Sequence, residues 1–162
     1  MNNIIPFNED IQGDLFGVED RPDEDNISTK KLGRYAEFLI CAELSKLGYD
    51  VWHCDAPGFD VIFVTEERSL RIQVRSTTHI ENGHCMWMLR KGYGNRDKTN
   101  YIKTRPIDRR DADLIALHHL VLGTTVFIGI DDISAGGAIR LPISQVRNHD
   151  LSESLERVLA RL

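Results

Sequence analysis

Apolar residues recur at helical spacing from Leu32 to Leu47, and within a few residues the period changes to that of a strand. Leu32, Tyr35, Ala36, Leu39, Ile40, Ala42, Leu44 and Leu47 mark one face of a helix. Ser28 or Thr29 can cap its start, and Gly48 is a natural stop. Beyond Gly48 the chain reads in strands. Asp50 to Cys54 is extended, Asp55-Ala56-Pro57-Gly58 is a turn, and Phe59 to Val64 is rich in β-formers. A polar turn over 65–69 leads into Leu70 to Thr78, which alternates. Cys85 to Arg90 reads as a third short strand. Residues 91–110 read as a polar surface loop. Ala112 to His118 and Val126 to Ile130 read as a hairpin through Leu122-Gly123-Thr124. Ala138 to Leu141 follows as a strand, and 151–162 as an amphipathic helix. Trp52, Phe63 and Trp87 read as core. A helix, a cluster of strands and a closing helix do not form the strict βαβ alternation of a doubly wound fold. The pattern predicts an α+β domain with a central mixed β-sheet flanked by helices.

Charge divides the chain. The net charge of -5 speaks against a nucleic-acid binder, which usually has a basic balance. Residues 1–28, however, hold eight acids and one base, a balance of −7. They read as an acidic, disordered arm, with residues 29–162 as a single domain. Residues 64–110 carry 11 Lys/Arg against five acids, a balance of +6. Tyr93 and Tyr101 interleave with Arg90, Lys91, Arg96, Lys98, Lys103 and Arg105, a composition that suits a surface tracking phosphates. The arm could lie over this basic loop or recruit a partner protein.

No apolar run approaches the roughly 18 residues that span a bilayer, and no leader pattern opens the chain. Cys41, Cys54 and Cys85 form no paired motif, and the expectation is reduced thiols in the cytoplasm. His53, Cys54, His79, His84 and Cys85 lack structural-zinc spacing.

On the strand 70–78, Arg71, Gln73 and Arg75 share one face. If it pairs with 59–64 around the polar turn, a turn centred near 66.5 sets Gln73 opposite Asp60. A centre near 67.5 sets Arg75 there instead. Either register gathers a carboxylate, an amide and a guanidinium, and Glu37 can join them from the preceding helix. Carboxylate and amide oxygens are hard ligands for Mg²⁺ or Mn²⁺, and a nearby cation suits phosphodiester chemistry. The plainer alternative is a surface salt bridge.

Several segments together resemble the PD-(D/E)XK nuclease superfamily, in its resolvase-like and intron-homing-endonuclease-like members. Gly33-Arg34-Tyr35-Ala36-Glu37-Phe38 is similar to the opening helix of these proteins, and Leu47-Gly48-Tyr49-Asp50-Val51 to the exit into the first strand. Gly58-Phe59-Asp60 and Arg71-Ile72-Gln73-Val74-Arg75-Ser76-Thr77 sit where the catalytic strands belong, and Ala112–Leu117 resembles a later core strand. The resemblance implies a restriction-endonuclease-like core acting on DNA. It implies catalytic roles for Glu37, Asp60, Gln73 and Arg75, and a Mg²⁺ or Mn²⁺ ion on Asp60, Glu37 and Gln73. Arg71, Arg90, Lys91, Arg96, Lys98, Lys103 and Arg105 would hold nucleic acid, and a homodimer would cut both strands. Gln73 stands where the pattern has Asp or Glu, and Arg75 where it has Lys. The alternative is therefore an inactive nuclease fold that binds nucleic acid or protein.

Overall fold

The computed structural model describes residues 28–56, 58–93, 103–133 and 137–162. The arm over 1–27 lies outside them, as do Arg96, Lys98 and Tyr101.

Helix α1 spans Thr29–Lys46, with the Ser28 side chain accepting from the Lys31 amide. Ala36, Ile40 and Leu44 form its buried stripe, four residues apart. Tyr35 and Leu47, expected on that face, are exposed. The helix stops at Gly48, whose φ of +92° suits a residue without a Cβ, and the Tyr49 amide donates back to the Leu44 carbonyl.

Strands β1 (Asp50–Ala56), β2 (Phe59–Val64), β3 (Ser69–Thr77), β8 (Leu114–His119) and β9 (Thr124–Gly129) form a five-stranded sheet in the order β1-β2-β3-β8-β9. Strands β3 and β8 run parallel and the other neighbours antiparallel, so the sheet is mixed. All six positions of β8 are buried, as expected of a central strand covered on both faces. On one face, α1 and α3 (Leu151–Leu159) cover Val61, Phe63, Ile72, Val74, Leu114 and Phe127. On the other face lies a second core around Trp87, Leu89, Ile115, Leu117 and Val146. A small sheet of β10 (Ala138–Pro142), β5 (His84–Met88) and β4 (Ile80–Glu81) borders this core, with α2 (Ile143–Arg147). The expected α+β architecture, a mixed central sheet between helices, is the one observed.

Three expectations need correction. The segment 91–110 is not a plain loop, because β6 (Arg90–Tyr93) and β7 (Lys103–Pro106) pair as an antiparallel ribbon. The expected strand 85–90 is divided at Leu89, whose amide still bonds the Gly137 carbonyl in line with the β5–β10 register while its carbonyl accepts the Ile107 amide beside the β6–β7 pair. Trp52 is not core: on edge strand β1 it is 52% exposed, while Phe63 and Trp87 are buried. Among the described residues no helix is long and apolar enough to cross a membrane.

Candidate active site

The β2–β3 register pairs Val61 with Ile72 and Phe63 with Leu70. It follows the first of the two expected registers and sets Asp60 opposite Gln73. The recorded pairing ends at Val61, and the Asp60 side chain takes over from the ladder. Its Oδ2 accepts the Val74 amide at 2.7 Å and a short hydrogen bond from Gln73 Nε2. Across β2, the β1 register jumps between His53 and Ala56, so Cys54 and Asp55 both face the single residue Asp60. Such a bulge turns a side chain out of the regular alternation, and bulges are common beside active sites.

Arg75 sits close enough to feel the charge of Asp60 but makes no hydrogen bond to it among the described residues. Its NH1 donates weakly to the Val74 carbonyl, and its Nε is buried without a partner. Burial pulls the guanidinium down from its usual value, and the charges of Asp60, Asp111 and Glu37 oppose that pull. Burial likewise pushes the Asp60 carboxyl up. The Val74 amide works against that rise, and the charge of Glu37 adds to it. The charge of Glu37 thus reaches Asp60, although α1 lies on the opposite face of the sheet from Gln73. Its own contacts are His53 Nε2 at 2.7 Å and Arg34 NH1 at 3.7 Å.

Of the basic residues expected to hold nucleic acid, Arg71, Arg90, Lys91 and Arg105 are engaged with the protein. Arg71 makes a two-pronged pair with Asp113, at 3.0 and 3.1 Å, and donates to the carbonyls of Arg109 and Arg110. Arg90 bonds Thr104. Lys91 and Arg105 converge on Asp111, which is buried and also accepts the Asp108 amide. Lys103 belongs to β7. Sequence reasoning missed Asp111, an acid just past the end of a basic run, and it weighed His53 only as a zinc ligand, not as a partner of Glu37.

The turn into β2 is tight for the same reason. Gly58 has φ +123°, and a Cβ there would lie 3.1 Å from Lys91 Nζ and 3.4 Å from the Asp111 backbone. Gly58→Ala is expected to destabilise the fold by about 2 kcal/mol, through backbone strain and a displaced Lys91. Urea unfolding measures it, and an unchanged midpoint would contradict this packing.

No family model and no curated protein matches the chain. Among solved structures, a bacterial homing endonuclease, I-Ssp6803I, matches with a TM-score of 0.66 at 23% identity, over 83% of this chain and 95% of that one. The fold is nuclease-like. Within it, Asp60 and Gln73 are in direct contact at the mouth of the β2–β3 pair. Arg75 follows two residues along β3, and the charges of Arg75 and of Glu37 on α1 both act on Asp60.

Proposed function

We propose that this protein is a metal-dependent endonuclease of the PD-(D/E)XK type, cutting DNA phosphodiester bonds. One observation carries the reading above the rest. The Asp60 carboxylate is buried at the end of a strand pair, held by the Val74 amide and the Gln73 side chain, with the charge of Glu37 reaching it and no hydrogen bond to it from Arg75. A buried carboxylate beside a like charge fits a divalent cation. Among the described residues no three His, Cys, Asp or Glu side chains cluster as a metal cage. The third donor would be Gln73, whose amide nitrogen donates to Asp60 and whose carbonyl oxygen would bind the ion. Oxygen donors of this kind suit Mg²⁺ or Mn²⁺.

A bound metal would supply a polarised phosphate and a more acidic water. The chain's own groups would do the rest. Arg75 stays protonated and cannot act as a base, so its role is to hold a phosphate oxygen through the terminal N–H groups of its partly exposed side chain. Phosphate contacts would extend to Arg96, Lys98 and Lys103, whereas Arg71, Arg90, Lys91 and Arg105 already bond the protein. The fold likeness to a homing endonuclease supports DNA as the substrate.

Incubation of supercoiled plasmid with Mg²⁺ or Mn²⁺ tests this. Nicking that a chelator abolishes is expected. Salt-sensitive DNA binding without cleavage at any metal concentration would favour the inactive binding module. Gln73 gives that second reading its foothold, since an amide binds a divalent ion less strongly than a carboxylate would.

A related measurement concerns stability. Gln73→Glu replaces a donor with a second buried acid against Asp60. The metal-free protein is expected to lose about 2 kcal/mol through the lost hydrogen bond and like-charge repulsion. Millimolar Mg²⁺ should recover most of it. Melting curves in chelator and in Mg²⁺ decide the matter, and equal curves would mean that no ion binds between these side chains.

A further inference from the structure

Glu37 has a dedicated partner that no motif flagged. The β1–β2 register pairs His53 with Val61, which lies under α1, so His53 faces the helix. Arg34, Glu37 and Phe38 stand at i, i+3 and i+4 on α1, and all three meet the His53 ring. Glu37 Oε2 lies 2.7 Å from Nε2, Arg34 NH1 lies 3.2 Å from the same nitrogen, and the Phe38 ring sits 4.7 Å away at a tilt of 31°. Hydrogen-bond chemistry fixes the proton. The shorter contact decides it: a carboxylate only accepts, so at 2.7 Å the imidazole hydrogen sits on Nε2 and points at Glu37, and Arg34 NH1, which only donates, is then a neighbouring charge and not a hydrogen-bond partner of that nitrogen. The Arg34 guanidinium then adds its charge to the same oxygen, 3.7 Å from Oε2. Both contacts fall on Oε2, which leaves Oε1 for a metal. His53 and Glu37 are each only about one-fifth exposed, at 19% and 20%, so the bond is sheltered from water.

We propose that His53 is a positioning residue of the candidate site, whose Nε2–H holds the Glu37 carboxylate in a preset orientation for the divalent ion. The proposal rests on the reading of Glu37 and Asp60 as metal ligands. Without His53 the Glu37 side chain regains its rotamers, and the ion must order it on binding. Groups that hydrogen-bond a ligating carboxylate in this way typically contribute about 10–100-fold to metal affinity or activity.

Calorimetric titration of Mn²⁺ into the full-length protein tests the idea without relying on cleavage. His53→Ala is expected to weaken Mn²⁺ binding about tenfold or more. His53→Gln, whose amide N–H can replace the donor, should recover binding to within a few-fold of wild type. In a Glu37→Ala background, His53→Ala should have no further effect, because the imidazole acts only through that carboxylate. Wild-type affinity in His53→Ala, or a full loss that persists in the Glu37→Ala background, overturns the positioning role and leaves the metal reading intact. A wild-type protein that binds no Mn²⁺, or binds it equally after Asp60→Ala, overturns both. If melting shows that His53→Ala does not fold, His53→Phe takes its place. That variant keeps the ring against Phe38 but has no donor, and the same outcomes then decide.

Discussion

Asp60→Ala is expected to reduce metal-dependent plasmid nicking by more than about 100-fold. Loss of a mere hydrogen-bonding partner of a ligand already removes about 10–100-fold, and Asp60 is proposed as the ligand itself. The variant also strips the Val74 amide and the Gln73 side chain of their acceptor. A second variant separates chemistry from folding. Asp60→Asn keeps an oxygen to accept the Val74 amide while removing a buried charge whose pKa is pushed up, first of all by burial. In chelator it should melt no lower than wild type, and it should still fail to cut. An Asp60→Asn protein that nicks plasmid at the wild-type rate would remove Asp60 from the site. Residues held in place against their electrostatic preference are common where function demands them.

The largest stability effect is expected at Asp111. Burial alone would raise this carboxyl, but hydrogen bonds from Arg105, Lys91 and the Asp108 amide overcome it and hold it at about 2. Asp111→Ala leaves two cations facing an uncharged, dry position, and a loss of about 3 kcal/mol is expected. For a domain of this size that lowers the melting temperature by roughly 6–12 °C. The pH dependence has a definite sign. The folded-state pKa lies below the unfolded value, so the folded protein binds fewer protons through the interval between them. The stabilisation is complete above the unfolded value of about 4 and disappears as pH falls through about 2. That part of the contribution is about 2 kcal/mol. Melting of wild type and Asp111→Asn from pH 7 to pH 2 should show their difference shrinking across the interval. A constant difference would mean that the ionised carboxylate is not what holds the β6–β7 ribbon to the start of β8.

Much of the fold is legible in the sequence because its signals are local. The Ala36-Ile40-Leu44 stripe, the Gly48 stop and the alternation on β3 each depend on residues within a turn or a pleat of one another. Element boundaries along α1, β2, β3, β8 and β9 therefore lie within a few residues of where the pattern places them. The β6–β7 ribbon was hidden because its strands carry Gly and charged residues in place of an apolar alternation. Trp52 was misread because type alone does not reveal that β1 is an edge. Asp60, Gln73 and Arg75 share a strand pair, so their proximity could be reached by counting. The turn centre left two registers that keep the same faces, and the folded turn selects the first by closing Thr65 on the Arg68 carbonyl.

The sequence by itself determined the periodicities, hence a mixed α+β domain, and the gathering of one acid with one amide near a guanidinium. Tertiary structure alone decided which charges meet. A basic balance of +6 over 64–110 looked like an open phosphate surface. In the folded protein, Asp111, Asp113 and Asp131, all outside that window, come to Arg105, Arg71 and Arg109. Charge summed along a chain counts neighbours in one dimension. Coulomb interactions act over a few ångströms in three, and the parallel β3–β8 crossover brings residues some forty positions apart, Arg71 and Asp113, into that range. The same holds for Glu37 and His53, whose meeting needs α1 to lie on the sheet before either residue can matter to the other.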